Sequence, residues 1–263
     1  MKFNKDNLFI SFVDESMKKY FFNNSIEYNV ELVLFCLPEI LNGPWREVVK
    51  RVKNVFKRYP VRRHMHGPFI DLPYHSRDQE VCALAKRKII QGLTIAEEIG
   101  AEHIVFHSTY NPLVVDSRYP RSWNQRALEF WLEIIPYAER SGCIMVIENV
   151  FDPYPEIIKG LVKKINSPYF KACLDVGHAH IFGKVGLEQW VKILKNDLVH
   201  LHIHDNSKVF DEHYGLGKGT INFKRFFTSI EKEKIDPSFT LEVRDDKEMR
   251  RSFRYLKSKG YWE

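Results

Sequence analysis

No stretch of the 263-residue sequence stays apolar for the roughly 20 residues that a membrane helix needs. The opening Met1-Lys2-Phe3-Asn4-Lys5-Asp6 has no apolar signal core, so a cytoplasmic location is expected, with no membrane partner. Cysteine is scarce. Cys36, Cys82, Cys143 and Cys173 stand singly, mostly inside apolar segments, and their spacing fits neither a disulfide framework nor a zinc ribbon. Reduced thiols are the expectation. Repeats and composition breaks are missing too, so residues 1–263 are expected to form one domain.

Hydrophobic residues make up 44% and charged residues 28% of the chain, enough to bury a sizeable core and keep an ordinary soluble surface. The formal charge of +6 leans towards anionic ligands. The basic clusters Lys50-Arg51, Arg62-Arg63, Lys86-Arg87-Lys88 and Arg250-Arg251 are dispersed, however, and solvated helix faces explain them.

Short apolar runs alternate with longer amphipathic ones from end to end. Strands are predicted at 8–12, 30–35, 63–66, 103–107, 143–148, 171–175, 198–202 and 239–243, with helices at 15–22, 45–57, 77–99, 123–140, 154–165, 187–195, 223–232 and 247–257. In the 77–99 segment Cys82, Ala85, Ile89, Leu93 and Ala96 recur every three or four residues, Ser76 with Gln79 forms a capping-box pattern, and Gly100 follows the end. Ser122 with Gln125 repeats the capping pattern before the next helix. Strands such as Ile144-Met145-Val146-Ile147 are apolar on both faces, as when helices cover one side and a barrel interior the other. Eight such repeats predict an α/β protein, a single (β/α)8 TIM barrel. Polar residues at the C-terminal ends of its strands then read as an active site.

Those ends are rich in metal-ligand types. His66 ends strand three, His107 strand four, Glu148 strand five and Asp175 strand six, with His178 just beyond; His202 lies on strand seven, Asp211 and His213 in its exit loop, and Glu242 at the end of strand eight. Each has an ordinary explanation: a lone histidine is usually a hydrogen-bonded core residue, and a lone carboxylate after a strand is often a helix cap. Glu148 and Glu242 close apolar strands, where an unpartnered carboxylate is costly. Nine such residues converging on one barrel mouth favour a metal centre over nine separate coincidences.

The stretches His66-Gly67-Pro68-Phe69-Ile70-Asp71-Leu72, Gly100-Ala101-Glu102-His103-Ile104-Val105-Phe106-His107, Ile147-Glu148-Asn149, Leu174-Asp175-Val176-Gly177-His178-Ala179-His180, His202-Ile203-His204-Asp205-Asn206 and the run from Asp211 to Gly219 resemble the xylose-isomerase-like TIM barrel superfamily. Sugar phosphate isomerases and epimerases and the endonuclease IV family of abasic-site nucleases belong to it. The resemblance implies a shared metal site of Glu148, Asp175, His202 and Glu242. In the isomerase and epimerase branch it makes Glu148 and Glu242 the catalytic residues that exchange substrate protons. In the nuclease branch it implies one metal on His66, His107 and Glu148, a second on Glu148, Asp175, His202 and Glu242, and a third on His178, Asp211 and His213. One to three divalent ions, zinc or manganese, are the expected cofactor.

Two departures weigh against a nuclease. Leu8-Phe9-Ile10-Ser11-Phe12 replaces that branch's glycine-rich opening strand, and Leu34-Phe35-Cys36-Leu37-Pro38-Glu39 has no basic, polar loop to grip DNA. His204-Asp205-Asn206 also stands where the nucleases have Asn-Asp-Ser. Phe69 could stand where the nucleases insert an aromatic into DNA, or simply pack at the mouth. Gly215-Leu216-Gly217-Lys218-Gly219-Thr220 resembles a phosphate loop without the Walker spacing, and it reads chiefly as a closure over the site. His178, Lys218 and Phe69 are the candidate substrate contacts. The expected function is a metal-dependent isomerase or epimerase acting on a sugar, sugar phosphate or keto-polyol. The alternatives are an abasic-site phosphodiesterase with DNA as partner and a non-catalytic sugar-binding barrel.

Overall fold

Parallel strands cannot be joined by tight turns, and among the described residues the connections between successive strands carry helices that pack outside the sheet. The computed structural model describes residues 2–12 and 28–262. Its strands are β1 (Leu8–Phe12), β2 (Asn29–Leu32), β3 (Arg63–His66), β4 (His103–His107), β5 (Ile144–Glu148), β6 (Phe170–Asp175), β7 (Leu198–Ile203) and β8 (Ser238–Leu241). Every neighbouring pair is parallel, and β8 closes on β1 through Leu8↔Phe239 and Ile10↔Leu241, completing the (β/α)8 barrel. The described helices are α1 (Pro38–Asn42), α2 (Trp45–Arg58), α3 (Gln79–Ile99), α4 (Tyr119–Ser141), α5 (Glu156–Ile165), α6 (Val176–Phe182), α7 (Leu187–Leu194), α8 (Phe223–Glu233) and α9 (Asp246–Ser258).

The helix expected at 15–22 lies outside the described residues. Several boundaries differ from the sequence expectation for local reasons. Strand two stops at Leu32 rather than 35, because its pairing with β3 ends at Leu32↔Met65 and the chain turns into a 3-10 helix at Leu34–Cys36. Helix α3 is capped by Asp78, whose side chain accepts from Glu80 N and Val81 N; Ser76 instead supports the turn before it through Asp78 N. Helix α4 begins at Tyr119, with Pro120 in its first turn, so Ser122 lies inside the helix and its hydroxyl meets Arg126 rather than capping. Helices α1 and α6 were not anticipated.

The main core lies between strands and helices. Trp131 of α4 is fully buried, with Tyr74, Phe106, Phe130 and Phe170 packed around it at ring separations of 4.9–5.4 Å. Inside the barrel the chain departs from the apolar filling expected there. A small apolar cluster of Val105, Val146 and Cys173 occupies one side. On the other side Glu31 of β2 reaches His200 and His202 of β7. β1 and β8 separate those strands in the sheet, so the contact crosses the interior. His64 and His103 stack beside it, with His64 also stacked on Phe9 at 3.7 Å.

Truncating Trp131 to alanine removes the centre of the outer aromatic cluster. Trp131→Ala is expected to lower the unfolding free energy by about 3–5 kcal/mol, read as a fall in denaturant midpoint at constant slope.

Candidate metal centre and active site

Glu148, at the end of β5, is 1% exposed and turns its two oxygens to two sets of imidazoles. Oε2 lies 3.4 Å from His66 Nε2 and 3.5 Å from His107 Nε2, without a hydrogen bond. Oε1 lies 3.3 Å from His202 Nδ1 and 3.3 Å from His178 Nδ1. With metal–ligand bonds of about 2.0–2.2 Å, the edge of a tetrahedral coordination shell is about 3.4 Å. Burial pushes the Glu148 carboxyl up, but His202, His107 and His178 more than offset it and hold it well below the ordinary carboxylate value. Burial pulls His107 down to about 3, which leaves its ring neutral.

The next ligand types come from successive strands. Asp175 ends β6, and its Oδ1 caps α6 through His178 N at 2.6 Å, so the ordinary role and the site role coincide in one side chain. His202 Nδ1 lies 2.9 Å from Glu242 Oε2, 3.3 Å from Glu148 Oε1 and 3.9 Å from Asp175 Oδ2. Glu242 follows β8 by one residue. Neither His202 Nδ1 nor Glu242 Oε2 makes a hydrogen bond. Burial raises Glu242, yet His202 and then His213 hold it down at about 2.

The third group sits at the outer edge. His178 Nδ1 donates to the Asn149 carbonyl (3.1 Å) and His213 Nδ1 to the Glu242 carbonyl (2.8 Å). Their Nε2 atoms therefore both face Asp211 Oδ2, at 3.2 and 3.0 Å. A positive charge fills each gap, either a proton on Nε2 or a metal ion. In the metal-free protein it is a proton: burial pulls His213 down, but Asp211, Glu242 and Asp175 bring it up to about 9. His213 takes up a positive φ of 50° to make these contacts.

All nine candidate ligands thus meet in three groups whose donor atoms lie within 4.8 Å of one another. The donor set fits divalent ions: imidazoles and ionised carboxylates, with Glu148 Oε2, His202 Nδ1, Asp211 Oδ1 and Glu242 Oε2 buried and without hydrogen bonds.

His204 belongs here as well, and its place two residues after His202, just past the end of β7, was the signal for it. It is fully buried, with Nε2 3.2 Å from both oxygens of Asp175, and it stacks on His213 at 3.9 Å. A Cβ on Gly177 would collide with His204 Cε1, which is why glycine precedes His178. Glu31 was also overlooked, although a lone glutamate inside the strand Asn29–Leu32 is conspicuous.

The candidate substrate contacts lie in different settings. Phe69 stacks on His107 at 3.9 Å, over the first ligand group. Lys218 points to Glu248 (3.1 Å) and lies over the Tyr214 ring. The backbone N–H groups of Gly217, Gly219 and Ile221 all donate to the carboxylate of Asp205, so the loop that resembles a phosphate cradle already holds an anion of its own. A Cβ on Gly219 would collide with Asp205 Oδ1.

The model of the xylose isomerase-like TIM barrel family matches residues 28–259. The chain belongs to that family. A protein of Methanocaldococcus jannaschii described as uncharacterized is 28% identical over 218 residues, covering 80% of this chain and 73% of its own. Among solved structures, a D-tagatose 3-epimerase-like protein superposes with a TM-score of 0.83 at 25% identity, over 96% of both chains. A protein from Thermus thermophilus soaked with ZnCl2 superposes at 0.78 and 24% identity, over 96% of this chain and 97% of its own. No described helix is long and apolar enough to cross a membrane.

Within this family barrel, the loops after β4 and β5 are tied by Ser108 Oγ donating to Asp152 Oδ2 at 2.5 Å. Burial pushes the Asp152 carboxyl up to about 7, against the hydrogen bonds from Ser108 and Val150. The native state therefore keeps this proton between the ordinary carboxylate value and about 7, and the stability it contributes is lost as pH rises through that window. Asp152→Asn cannot lose the proton. The stability difference between variant and wild type is expected to move in the variant's favour by roughly 3 kcal/mol from about pH 4 to about pH 8, measured by denaturant melts across pH. A constant difference would contradict this.

Proposed function

We propose that the protein is a metal-dependent sugar epimerase or isomerase whose proton-transfer groups are Glu148 and Glu242. The observation that carries this reading is that both carboxylates face the same His202 Nδ1, at 3.3 and 2.9 Å, from opposite ends of the β5–β8 arc. In this reading Glu148, Asp175, His202 and Glu242 hold a divalent ion, zinc or manganese. When bound, the ion polarises the adjacent hydroxyl and carbonyl oxygens of a keto sugar. Glu242, held at about 2, is ionised at neutral pH and can accept a proton from the carbon beside the carbonyl. Glu148, in the same ionised state, serves the other face. Phe69 forms an apolar wall over His107, and His178 contacts a substrate oxygen. The likeness to a D-tagatose 3-epimerase-like protein supports a ketose as the substrate class. Asp205 in the glycine loop and the pairing of Lys218 with Glu248 favour an unphosphorylated sugar over a sugar phosphate.

A second reading, phosphodiester cleavage at abasic DNA, is favoured by one observation: the groups His66–His107–Glu148 and His178–Asp211–His213 assemble beside Glu148–Asp175–His202–Glu242. The rim weighs against it. The loops after β4, β5 and β7 expose Leu113, Val115, Phe151, Tyr154, Val209 and Phe210, where a phosphate backbone would call for cations.

The test is incubation of the zinc- or manganese-loaded protein with unphosphorylated ketohexoses in deuterated water. Deuterium at the carbon beside the carbonyl is expected, with Glu148→Gln and Glu242→Gln each slowing exchange by about 10²–10⁴-fold. Nicking of abasic-site DNA that Glu148→Gln abolishes, with no sugar exchange, would replace this reading by the second. Sugar binding without exchange would leave a non-catalytic barrel.

A further inference from the structure

A buried imidazole has two nitrogens and, when neutral, one proton; whichever nitrogen keeps the proton decides which can bind a metal ion. His202 is fully buried, and its Nε2 faces a carboxylate that no sequence motif brings to notice. We propose that Glu31 is a positioning residue of the metal centre: it takes the Nε2–H of His202 and so fixes the ring with Nδ1 directed at Glu148 and Glu242. The inference rests on the reading that Glu148, Asp175, His202 and Glu242 bind a divalent ion, and it adds a residue from the far side of the barrel interior.

The geometry is complete at Glu31. Oε1 accepts from His202 Nε2 at 3.0 Å, and Oε2 accepts from His200 Nε2 at 2.9 Å and from Thr240 Oγ1 at 2.6 Å. The second nitrogen of His200 is held by Ser238 Oγ at 2.7 Å. Glu31 is 1% exposed and His200, His202 and Thr240 are 0% exposed, so no water competes for these bonds. Two strands, β7 and β8, thereby clamp a carboxylate that grows from β2. With the proton on Nδ1 instead, an Nε2 lone pair would face the Glu31 carboxylate and an N–H would occupy the space between Glu242 and Glu148. Carboxylates behind metal-ligating histidines orient the ring and raise its basicity, and their loss typically weakens metal binding by about 10–100-fold.

A purely structural role makes a different forecast. Glu31→Gln takes one partner out of a buried pair and sets an amide NH2 against an imidazole N–H, so a structural role alone would lower the metal-free Tm and leave the affinity of the folded protein intact. The amide keeps an oxygen for one partner only, so it cannot serve both His202 and His200.

Affinity for Zn²⁺ and Mn²⁺ alone is measured by chelator competition, alongside thermal melts of the metal-free proteins. Glu31→Gln is expected to lose about 10–100-fold in affinity for one ion, measured well below its metal-free Tm, where the variant is folded. Thr240→Val, which keeps the carboxylate and removes one of the two donors to its outer oxygen, is expected to lose less. In the wild-type protein loaded with ¹¹³Cd, ¹⁵N-imidazole spectra should couple the metal to His202 Nδ1 and leave Nε2 protonated. Full affinity in folded Glu31→Gln, or coordination through Nε2, would overturn the inference and leave the epimerase reading standing. A wild-type chain that binds neither ion would overturn the metal reading and this inference with it.

Discussion

The Glu148 carboxylate is the charge around which the barrel mouth is arranged. At 1% exposure it has no water to solvate it, and an ionised carboxylate is tolerated there only if cations or directed donors surround it. It faces His66 and His107 with one oxygen, and His202 and His178 with the other. The far nitrogen of His66 is tied to the Gly67 carbonyl, that of His202 to Glu31, and that of His213 to the Glu242 carbonyl. Each tie leaves the near nitrogen facing a carboxylate. The same donors suit protons or divalent ions.

That arrangement costs the barrel its apolar filling. Glu31, His64, His200 and Thr240 occupy interior positions that branched apolar side chains usually take. Stability is supplied elsewhere, by the apolar layer between strands and helices, where Trp131, Trp123, Trp190 and Phe226 are almost completely buried. The division has a physical logic. The outer layer is held by area removed from water, which is insensitive to direction. Hydrogen bonds and ion pairs fix orientation, and an interior built from them transmits the position of β2 to the ring of His202.

This division also explains what was legible in the sequence. The strand–helix period was legible because apolar spacing reports burial directly, and strands three and four ended where expected. The nine ligand types stood at strand ends or in the following loops, where a parallel barrel gathers them. Glu31 was legible only as an odd glutamate inside a strand; its role was not, because its partners lie on β7 and β8 and a cross-barrel contact leaves no local pattern. His204 was visible near the ligands, with orienting a ligand, contacting substrate and lying at the surface all open, since its neighbour Asp175 is 29 positions away. Helix α6 went unseen because its start depends on Asp175 capping through His178 N, which the apolar period does not encode. Ser76 and Ser122 misled in the opposite sense: the capping pattern was present, but Asp78 and Pro120 set the actual helix starts.

The glycine loop carries the argument from fold to substrate. In sequence, Gly215 to Thr220 offers the small residues and the lysine of an anion cradle. In the fold, three of its N–H groups close on Asp205, and Lys218 is drawn to Glu248 and the Tyr214 ring. A phosphate placed there would have to displace a buried side chain that already accepts four backbone hydrogen bonds, with no gain in pairing. What the loop does instead is fix β7's exit, since Asp205 also pairs with Tyr214 through both backbone bonds. That anchors the segment carrying Asp211 and His213 against the end of β8 and sets their distance from His178. The loop thus acts on the site through geometry, and under the proposed epimerase reading recognition falls to the carboxylates, the imidazoles and the Phe69 ring, groups suited to the hydroxyls and apolar face of a neutral sugar.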